Sequence, residues 1–194
     1  GDGGISGDAS PLPDAEPCGT VTVNLQPTLP TVMILIDQSG SMTNDFGGVS
    51  RWEAVRNALV SDPDGVVTQL QSDVIFGASL YTSNGGDAGG VCPVLTTVDP
   101  LLDNLVDIRT LLQDNNPGGD TPTGESIDEI AQLLDNLPQN PEYPDSPKVI
   151  VLATDGEPDT CAVPNPQNGQ PESVAAVEDA YTLGIQTFVL SVGS

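Results

Sequence analysis

The stretch "ILIDQSGSM", residues 34–42, is an apolar run that changes abruptly into polar residues. Together with the preceding residues 31–33 it is apolar on both faces as far as the first carboxylate, which is typical of a strand buried in a parallel sheet. The run ends in Asp37, Ser39 and Ser41, one carboxylate and two hydroxyls spaced two residues apart. The function therefore depends on which other groups these three polar side chains contact in the folded chain.

Alternating strand and helix patterns along the rest of the chain predict a doubly wound α/β fold. The predicted strands cover residues 31–37, 72–83, 91–98, 148–156 and 185–193. The predicted helices cover residues 51–60, 100–115, 125–137 and 172–184. Only a loop joins the second strand to the third, so that pair is predicted to be antiparallel. The sheet is thus expected to be mostly parallel, Rossmann-like, with one antiparallel edge strand and helices on both faces.

Composition divides the chain into a tail and a domain. Residues 1–19 are predicted to be an acidic, flexible tail or linker rich in Gly, Pro and Ser, because they bury too little apolar area to offset ordering entropy. Residues 20–194 are predicted to form the α/β domain, with an alternating segment at 20–25 as a candidate edge strand. The chain stops directly after the strand at 185–193, so a remaining C-terminal part of the domain is expected.

The charge balance excludes several function classes. The 194 residues include 28 acidic and 4 basic side chains, for a net charge of −24, and no histidine. So few basic residues argue against binding nucleic acid or an anionic membrane surface. The absence of histidine removes the commonest general base and the commonest transition-metal ligand. No apolar run is long enough for direct insertion into a membrane.

The three cysteines, Cys18, Cys92 and Cys161, are far apart and form no zinc-binding CxxC pair. Their spacing and the scarcity of lysine suit an exported protein with a disulfide, secreted or held at the cell surface. Cys92 begins the predicted strand at 91–98, near the sheet edge that carries the loop of Cys161. A Cys92–Cys161 disulfide is therefore predicted, with two free buried thiols as the alternative and Cys18 unassigned.

Three polar segments are predicted to converge at the carboxyl edge of the sheet, where open α/β sheets place their sites. They contribute Asp37, Ser39, Ser41, Asp120, Thr121, Thr123, Thr154 and Asp155. All of these side chains offer oxygen, and oxygen ligands suit a hard cation such as Mg²⁺, Ca²⁺ or Mn²⁺. The alternative is that the hydroxyls only cap helices and turns, but that does not explain why two buried strands both end in aspartate.

The same segments resemble the von Willebrand factor type A (vWA) domain. "DQSGSM" at 37–42 matches the family's DxSxS motif, "GGDTPTGESI" at 118–127 its threonine loop and "VIVLATDGEP" at 149–158 its later TDG strand. The DxSxS motif alone is a weak signal, whereas the three in the family's order are specific. The resemblance covers about residues 30–194 and lacks the family's final helix–strand–helix.

This resemblance implies a metal-ion-dependent adhesion site. Ser39 and Ser41 would bind the metal directly, Thr121 directly or through water, and Asp37 and Asp155 through water or directly. The family pattern favours Thr121 over Thr123 as the ligand. It also implies a divalent cation, Mg²⁺ before Ca²⁺ or Mn²⁺, whose open position accepts an Asp or Glu from a partner protein.

Three functions compete at this point. The first is a metal-dependent binding module of an exported protein, and the second is a structural subunit of a surface layer or filament whose metal stabilises the fold. The third is a phosphatase-like enzyme, which we do not expect. Ser39 stands where that chemistry needs a second aspartate, and Lys148 opens a strand at the far end of the sheet.

Overall fold

A computed structural model describes residues 28–84, 90–163 and 167–193. The strands are β1 (Thr31–Asp37), β2 (Asp45–Phe46), β3 (Val49–Ser50), β4 (Ile75–Asn84), β5 (Val91–Leu101), β6 (Lys148–Thr154) and β7 (Gln186–Ser191). The helices are α1 (Arg51–Val60), α2 (Val66–Leu70), α3 (Leu105–Asp114), α4 (Thr123–Asn136) and α5 (Gln170–Thr182), with a 3₁₀ turn at Gly40–Thr43. The predicted tail, the candidate strand at 20–25 and Cys18 lie outside the described residues. None of the helices described is long and apolar enough to cross a membrane.

The main sheet has five strands in the order β5-β4-β1-β6-β7. β1 pairs in parallel with β4 and β6, and β6 pairs in parallel with β7. β5 runs antiparallel to β4 at one edge. The predicted fold class, a mostly parallel sheet with one antiparallel edge strand, is therefore confirmed.

The core lies on both faces of this sheet because successive side chains of β1 point in opposite directions. Ile34 and Ile36 face a cluster that includes side chains of α1 and α3. Met33 and Leu35 face a second cluster with side chains of α4 and α5. Burial on both faces explains why β1, the central strand of the sheet, is a continuous apolar run.

The segment after β5 differs from the predicted helix over 100–115. β5 continues as far as Leu101, which pairs with Phe76 of β4, and α3 begins only at Leu105. The buried Asn104 amide donates hydrogen bonds to the carbonyls of Phe76, at 2.7 Å, and Asp99, at 2.9 Å. These contacts tie the junction to β4 and so fix where the strand ends. The contact with Phe76 joins residues that are far apart in the sequence, so helical periodicity does not predict it.

The predicted disulfide between Cys92 and Cys161 is confirmed, with 5.4 Å between the two Cα atoms. It joins the start of β5 to the segment that follows β6. Both cysteines lie toward the carboxyl edge of the parallel strands, so the bridge fastens the antiparallel edge of the sheet to the loop beside Asp155.

Truncation of Ile130 tests the packing of α4 against the sheet. Ile130 is fully buried, whereas Val106 on α3 is 70% exposed. We expect Ile130→Ala to lower the free energy of unfolding by about 2–5 kcal/mol, because it leaves a cavity. Val106→Ala should change it by less than about 0.5 kcal/mol. Urea titration followed by circular dichroism measures both; equal losses would contradict this placement of α4.

Candidate metal centre

The candidate centre lies at the carboxyl ends of the neighbouring strands β1 and β6. Asp37 is the last residue of β1, and Asp155 directly follows β6. Ile36 pairs with Ala153 in the parallel register, so the two acids are carried to the same edge. Asp37 is fully buried, and Asp155 is 9% exposed. Parallel pairing thus brings together two carboxylates that lie more than a hundred residues apart in sequence.

Hydrogen bonds connect Asp155 with the two serines of the DxSxS motif. The Ser41 hydroxyl donates to Asp155 Oδ1 at 2.9 Å, and the Ser39 and Ser41 Oγ atoms lie 2.9 Å apart. Asp37 accepts from the Ser39 backbone N–H and from the Thr154 hydroxyl, both at 2.8 Å. The aspartates therefore hold the serine-containing turn in place.

The loop between α3 and α4, residues 115–122, is docked against the same edge. Its Gly119 carbonyl accepts the Gly40 N–H at 3.1 Å, and its Gly118 N–H donates to the Gln38 carbonyl at 2.7 Å. The buried Thr82 hydroxyl at the end of β4 donates to the Gly118 carbonyl at 2.6 Å. The loop that carries Thr121 is thus fixed both to the DxSxS segment and to β4.

Thr121 is 3% exposed and is held by its backbone. Its N–H donates to Asp159 Oδ2 at 3.1 Å, and its carbonyl accepts the Asp159 N–H at 2.9 Å. Within the described residues the Thr121 hydroxyl makes no hydrogen bond. The Thr123 hydroxyl, in contrast, lies 3.2 Å from the Tyr81 hydroxyl and donates to the Thr121 carbonyl at 3.3 Å. The geometry therefore leaves Thr121 Oγ1 the freer of the two hydroxyls.

Burial makes the negative charge of the carboxylates at this centre unfavourable. Desolvation raises the pKa of Asp37 above its ordinary value of 3.8, although hydrogen bonds from Ser39 and Thr154 partly offset it. The neighbouring Asp155 carboxylate raises the pKa of Asp37 further. Burial also raises the pKa of Asp159, with Asp120 adding to the rise and the Thr121 N–H opposing it. A cation at this edge would relieve the repulsion between Asp37 and Asp155.

Sequence reasoning missed Arg51, whose guanidinium Nη1 lies 2.6 Å from Asp155 Oδ2. It also missed the supporting contacts of Asp159 with Thr121. Arg51 is one of only four basic residues and opens the first helix after the DxSxS motif, which was the available signal. The contact itself spans 104 residues, and no local pattern encodes it.

The donor set fits a hard divalent cation. Asp37, Ser39, Ser41, Thr121 and Asp155 supply carboxylate and hydroxyl oxygens, which Mg²⁺ prefers. The Ser39 and Ser41 oxygens lie within hydrogen-bond distance of each other, at 2.9 Å, so both would be available to a single ion. No group of three or more His, Cys, Asp or Glu side chains suited to a metal occurs among the described residues, so the hydroxyls are essential to such a site.

The sequence profile of the von Willebrand factor type A domain matches residues 31–194. The chain belongs to this family. The three motifs that carried the resemblance lie within the matched region, and in the structure two of them, DxSxS and TDG, end the adjacent strands β1 and β6. The third, the threonine loop, contacts the first through Gly40 and Gly119.

Relatives of this vWA chain include the Bacillus subtilis protein YwmC, 30% identical over 135 residues, which make up 67% of this chain and 55% of YwmC. The pilus adhesin SpaC from Lactobacillus rhamnosus GG superposes with a TM-score of 0.59 at 17% identity, covering 84% of this chain and 24% of SpaC. Manganese-loaded TRAP protein from Plasmodium vivax superposes with a TM-score of 0.57 at 15% identity, covering 88% of this chain and 59% of the TRAP chain. The chain thus spans about half of YwmC and a quarter of SpaC, and the superpositions establish the fold.

A methyl group at Gly119 tests the docking of the threonine loop. Gly119 has a φ of +85°, and a Cβ there would collide with the Ser83 carbonyl and the Thr82 hydroxyl. Gly47 is a matched control, with a φ of +69° and nothing within 4 Å of its Cβ position. Gly47→Ala should cost about 1–2 kcal/mol of backbone strain. Gly119→Ala should cost about 1–3 kcal/mol more from the collision. Chemical denaturation compares the two, and equal costs would contradict the docked loop.

Neutralising Asp37 tests whether its buried charge is unfavourable without metal. Asp37→Asn keeps an acceptor for the Ser39 N–H and gains a donor toward Thr154. In EDTA at pH 7 we expect the variant to melt at or above the wild-type temperature. Because the folded-state pKa of Asp37 is raised, the wild-type chain gains stability relative to the variant as pH falls toward and through that pKa. The variant's advantage should therefore shrink on acidification. A variant much less stable than wild type in EDTA would refute this.

Proposed function

We propose that the chain is a divalent-cation-dependent protein-binding module of an exported protein. The observation that carries the proposal is the hydrogen-bonded set of oxygens around two buried aspartates, Asp37 and Asp155, at the carboxyl edge of the sheet. A set of oxygen donors alone suits Mg²⁺, with Mn²⁺ or Ca²⁺ as alternatives. The bound ion would supply an electrophilic position for a carboxylate oxygen of a partner's Asp or Glu.

Each residue has a distinct part in this proposal. Ser39 and Ser41 would offer their hydroxyl oxygens directly to the ion, and Thr121 directly or through water. Asp155 orients the Ser41 hydroxyl, and Asp37 orients the Ser39 backbone. Because three of the five donors are neutral hydroxyls, the two carboxylates balance the charge of the ion but do not exceed it. A coordination position that these donors leave open would accept the carboxylate oxygen of an anionic side chain from outside.

Similar proteins support the proposal. SpaC is described as a pilus adhesin, and the TRAP structure contains manganese, which agrees with divalent-cation binding on this fold. We extend both properties to this chain as part of the proposal, together with a secreted or cell-surface location and the absence of an enzymatic role. The net charge of −24 and the disulfide are consistent with an extracellular setting.

Selection from a random peptide library displayed on phage tests the function. In Mg²⁺ we expect the wild-type chain to enrich peptides with Asp or Glu, and in EDTA the enrichment should vanish. Ser39→Ala should lose enrichment by at least about tenfold, since a lost metal contact costs more than about 1.4 kcal/mol. Ser72→Ala, an exposed serine distant from the site, is the control and should behave as wild type.

The outcomes separate the candidate functions. Equal enrichment in EDTA would refute the metal-dependent mechanism. If Mg²⁺ raises the melting temperature but no acidic peptide is enriched, the ion serves the fold, as expected for a structural subunit of a surface layer or filament.

A further inference from the structure

Arg51 stands at an electrostatically unfavourable end of its helix. It is the first residue of α1, where the helix dipole places partial positive charge. Ser50 already caps this end by accepting the Glu53 N–H at 3.1 Å, so the arginine is not needed for capping. A cation in this position needs a negative partner, and Asp155 provides one at 2.6 Å.

The ion pair is largely buried, and the guanidinium makes only part of the hydrogen bonds that it could make. The Arg51 side chain is 16% exposed and that of Asp155 is 1% exposed. A single guanidinium nitrogen contacts the carboxylate, and Arg51 Nε is buried without a hydrogen-bond partner among the described residues. A pair optimised for stability would use the two-pronged geometry that arginine offers to a carboxylate. The carboxylate is instead divided between two partners, since Arg51 contacts Oδ2 and the Ser41 hydroxyl donates to Oδ1.

Charge counting shows what Arg51 does to that site. Asp37 and Asp155 contribute two negative charges, and Arg51 reduces the sum to −1. Counted over these three side chains, a divalent cation then makes the loaded centre +1, and one carboxylate from a partner brings the sum to zero. Without Arg51 the metal alone would neutralise the aspartates, and the centre would have less attraction for an anion.

We propose that Arg51 is a built-in counter-cation of the metal centre. It holds Asp155 in place when no metal is bound, weakens metal binding by repulsion, and leaves the loaded centre positive toward an acidic partner. This inference rests on the proposed function in one respect, because it requires Asp37 and Asp155 to hold a divalent cation. It assigns to Arg51 a tuning role that is distinct from that of a ligand.

A merely structural role makes the opposite prediction. If Arg51 only positions Asp155, removing it would disorder that carboxylate and weaken metal binding. If its charge opposes the metal, removing the charge strengthens metal binding, since Ser41 still orients Asp155. The sign of the change in metal affinity therefore separates the two roles.

Isothermal titration of the full chain with Mn²⁺ alone tests the inference. We expect Arg51→Gln and Arg51→Met to bind Mn²⁺ more tightly, on the order of tenfold, for the loss of one charge beside a divalent ion. Arg51→Lys, which keeps the charge, should stay within about threefold of wild type. Arg56→Gln is the matched control, with the same net charge change on the same helix. Its side chain, 35% exposed, pairs with Glu53 at 3.6 Å, so screening should keep its effect below about twofold.

Thermal melting adds a readout that does not depend on ligand binding. In EDTA, Arg51→Gln should melt below wild type and below Arg56→Gln, because it leaves Asp155 without its cation. Saturating Mn²⁺ should then raise its melting temperature by more than it raises that of wild type. Circular dichroism at the titration temperature establishes that each variant is folded.

Unchanged or weaker Mn²⁺ binding by both Arg51→Gln and Arg51→Met would overturn the inference while leaving the proposed function standing. Tightening by Arg51→Lys equal to that of Arg51→Gln would also overturn it, because the charge would then be irrelevant. Failure of the wild-type chain to bind Mn²⁺ would refute the metal centre itself, and this inference with it.

Discussion

The parallel pairing of β1 with β6 is the constraint on which the rest of the candidate centre depends. It places the carboxylates of Asp37 and Asp155 side by side at a buried edge, where neither can be solvated fully. Buried like charges are unfavourable unless hydrogen bonds and a cation compensate them. The Ser39 N–H, the Thr154 and Ser41 hydroxyls and the Arg51 guanidinium all serve this compensation. The polar end of an apolar strand is therefore the origin of the site and not an exception to the core.

Rigidity at this edge comes from a second layer of contacts that do not include the proposed ligands' side chains. The end of β4 holds the threonine loop through Thr82 and through Ser83, whose hydroxyl donates to Asp120 at 3.1 Å. Asp159 clamps the backbone of Thr121 from the segment after β6. Glu125 accepts the Cys161 N–H at 2.7 Å, which links that segment and its disulfide to α4. Each loop of the site is thus anchored to an element other than its own, which limits how far the donors can drift.

Local pattern predicted the framework of the fold, whereas the five ligands were implied by the family motifs and stay a prediction. The pattern located β1 and β6 because buried parallel strands are unbroken apolar runs, so the acids that end them are conspicuous in the sequence. It failed where a long-range contact decides the structure. Asn104 sets the end of β5 through Phe76, the 3₁₀ turn at Gly40–Thr43 is too short for a periodic signal, and the Arg51–Asp155 pair joins residues that share no local pattern. The periodicity of a segment shows which of its side chains are buried. It does not show which distant residues those side chains contact, and these features depend on such contacts.

The position of Arg51 also bears on how so acidic a chain could attract an acidic partner. With a net charge of −24, the surface as a whole repels anions at long range. That repulsion is screened beyond about 8 Å at physiological ionic strength, so the last few ångströms of approach are governed by the local charge. A divalent ion together with two aspartates would have no net charge, so the negative charge of the surrounding surface would repel the acidic partner. With the ion bound as proposed, the largely buried Arg51 guanidinium beside Asp155 would bring the sum over these groups to +1, and its burial would reduce the screening of that charge. The proposed role therefore places one of only four basic residues beside a carboxylate that would hold the ion.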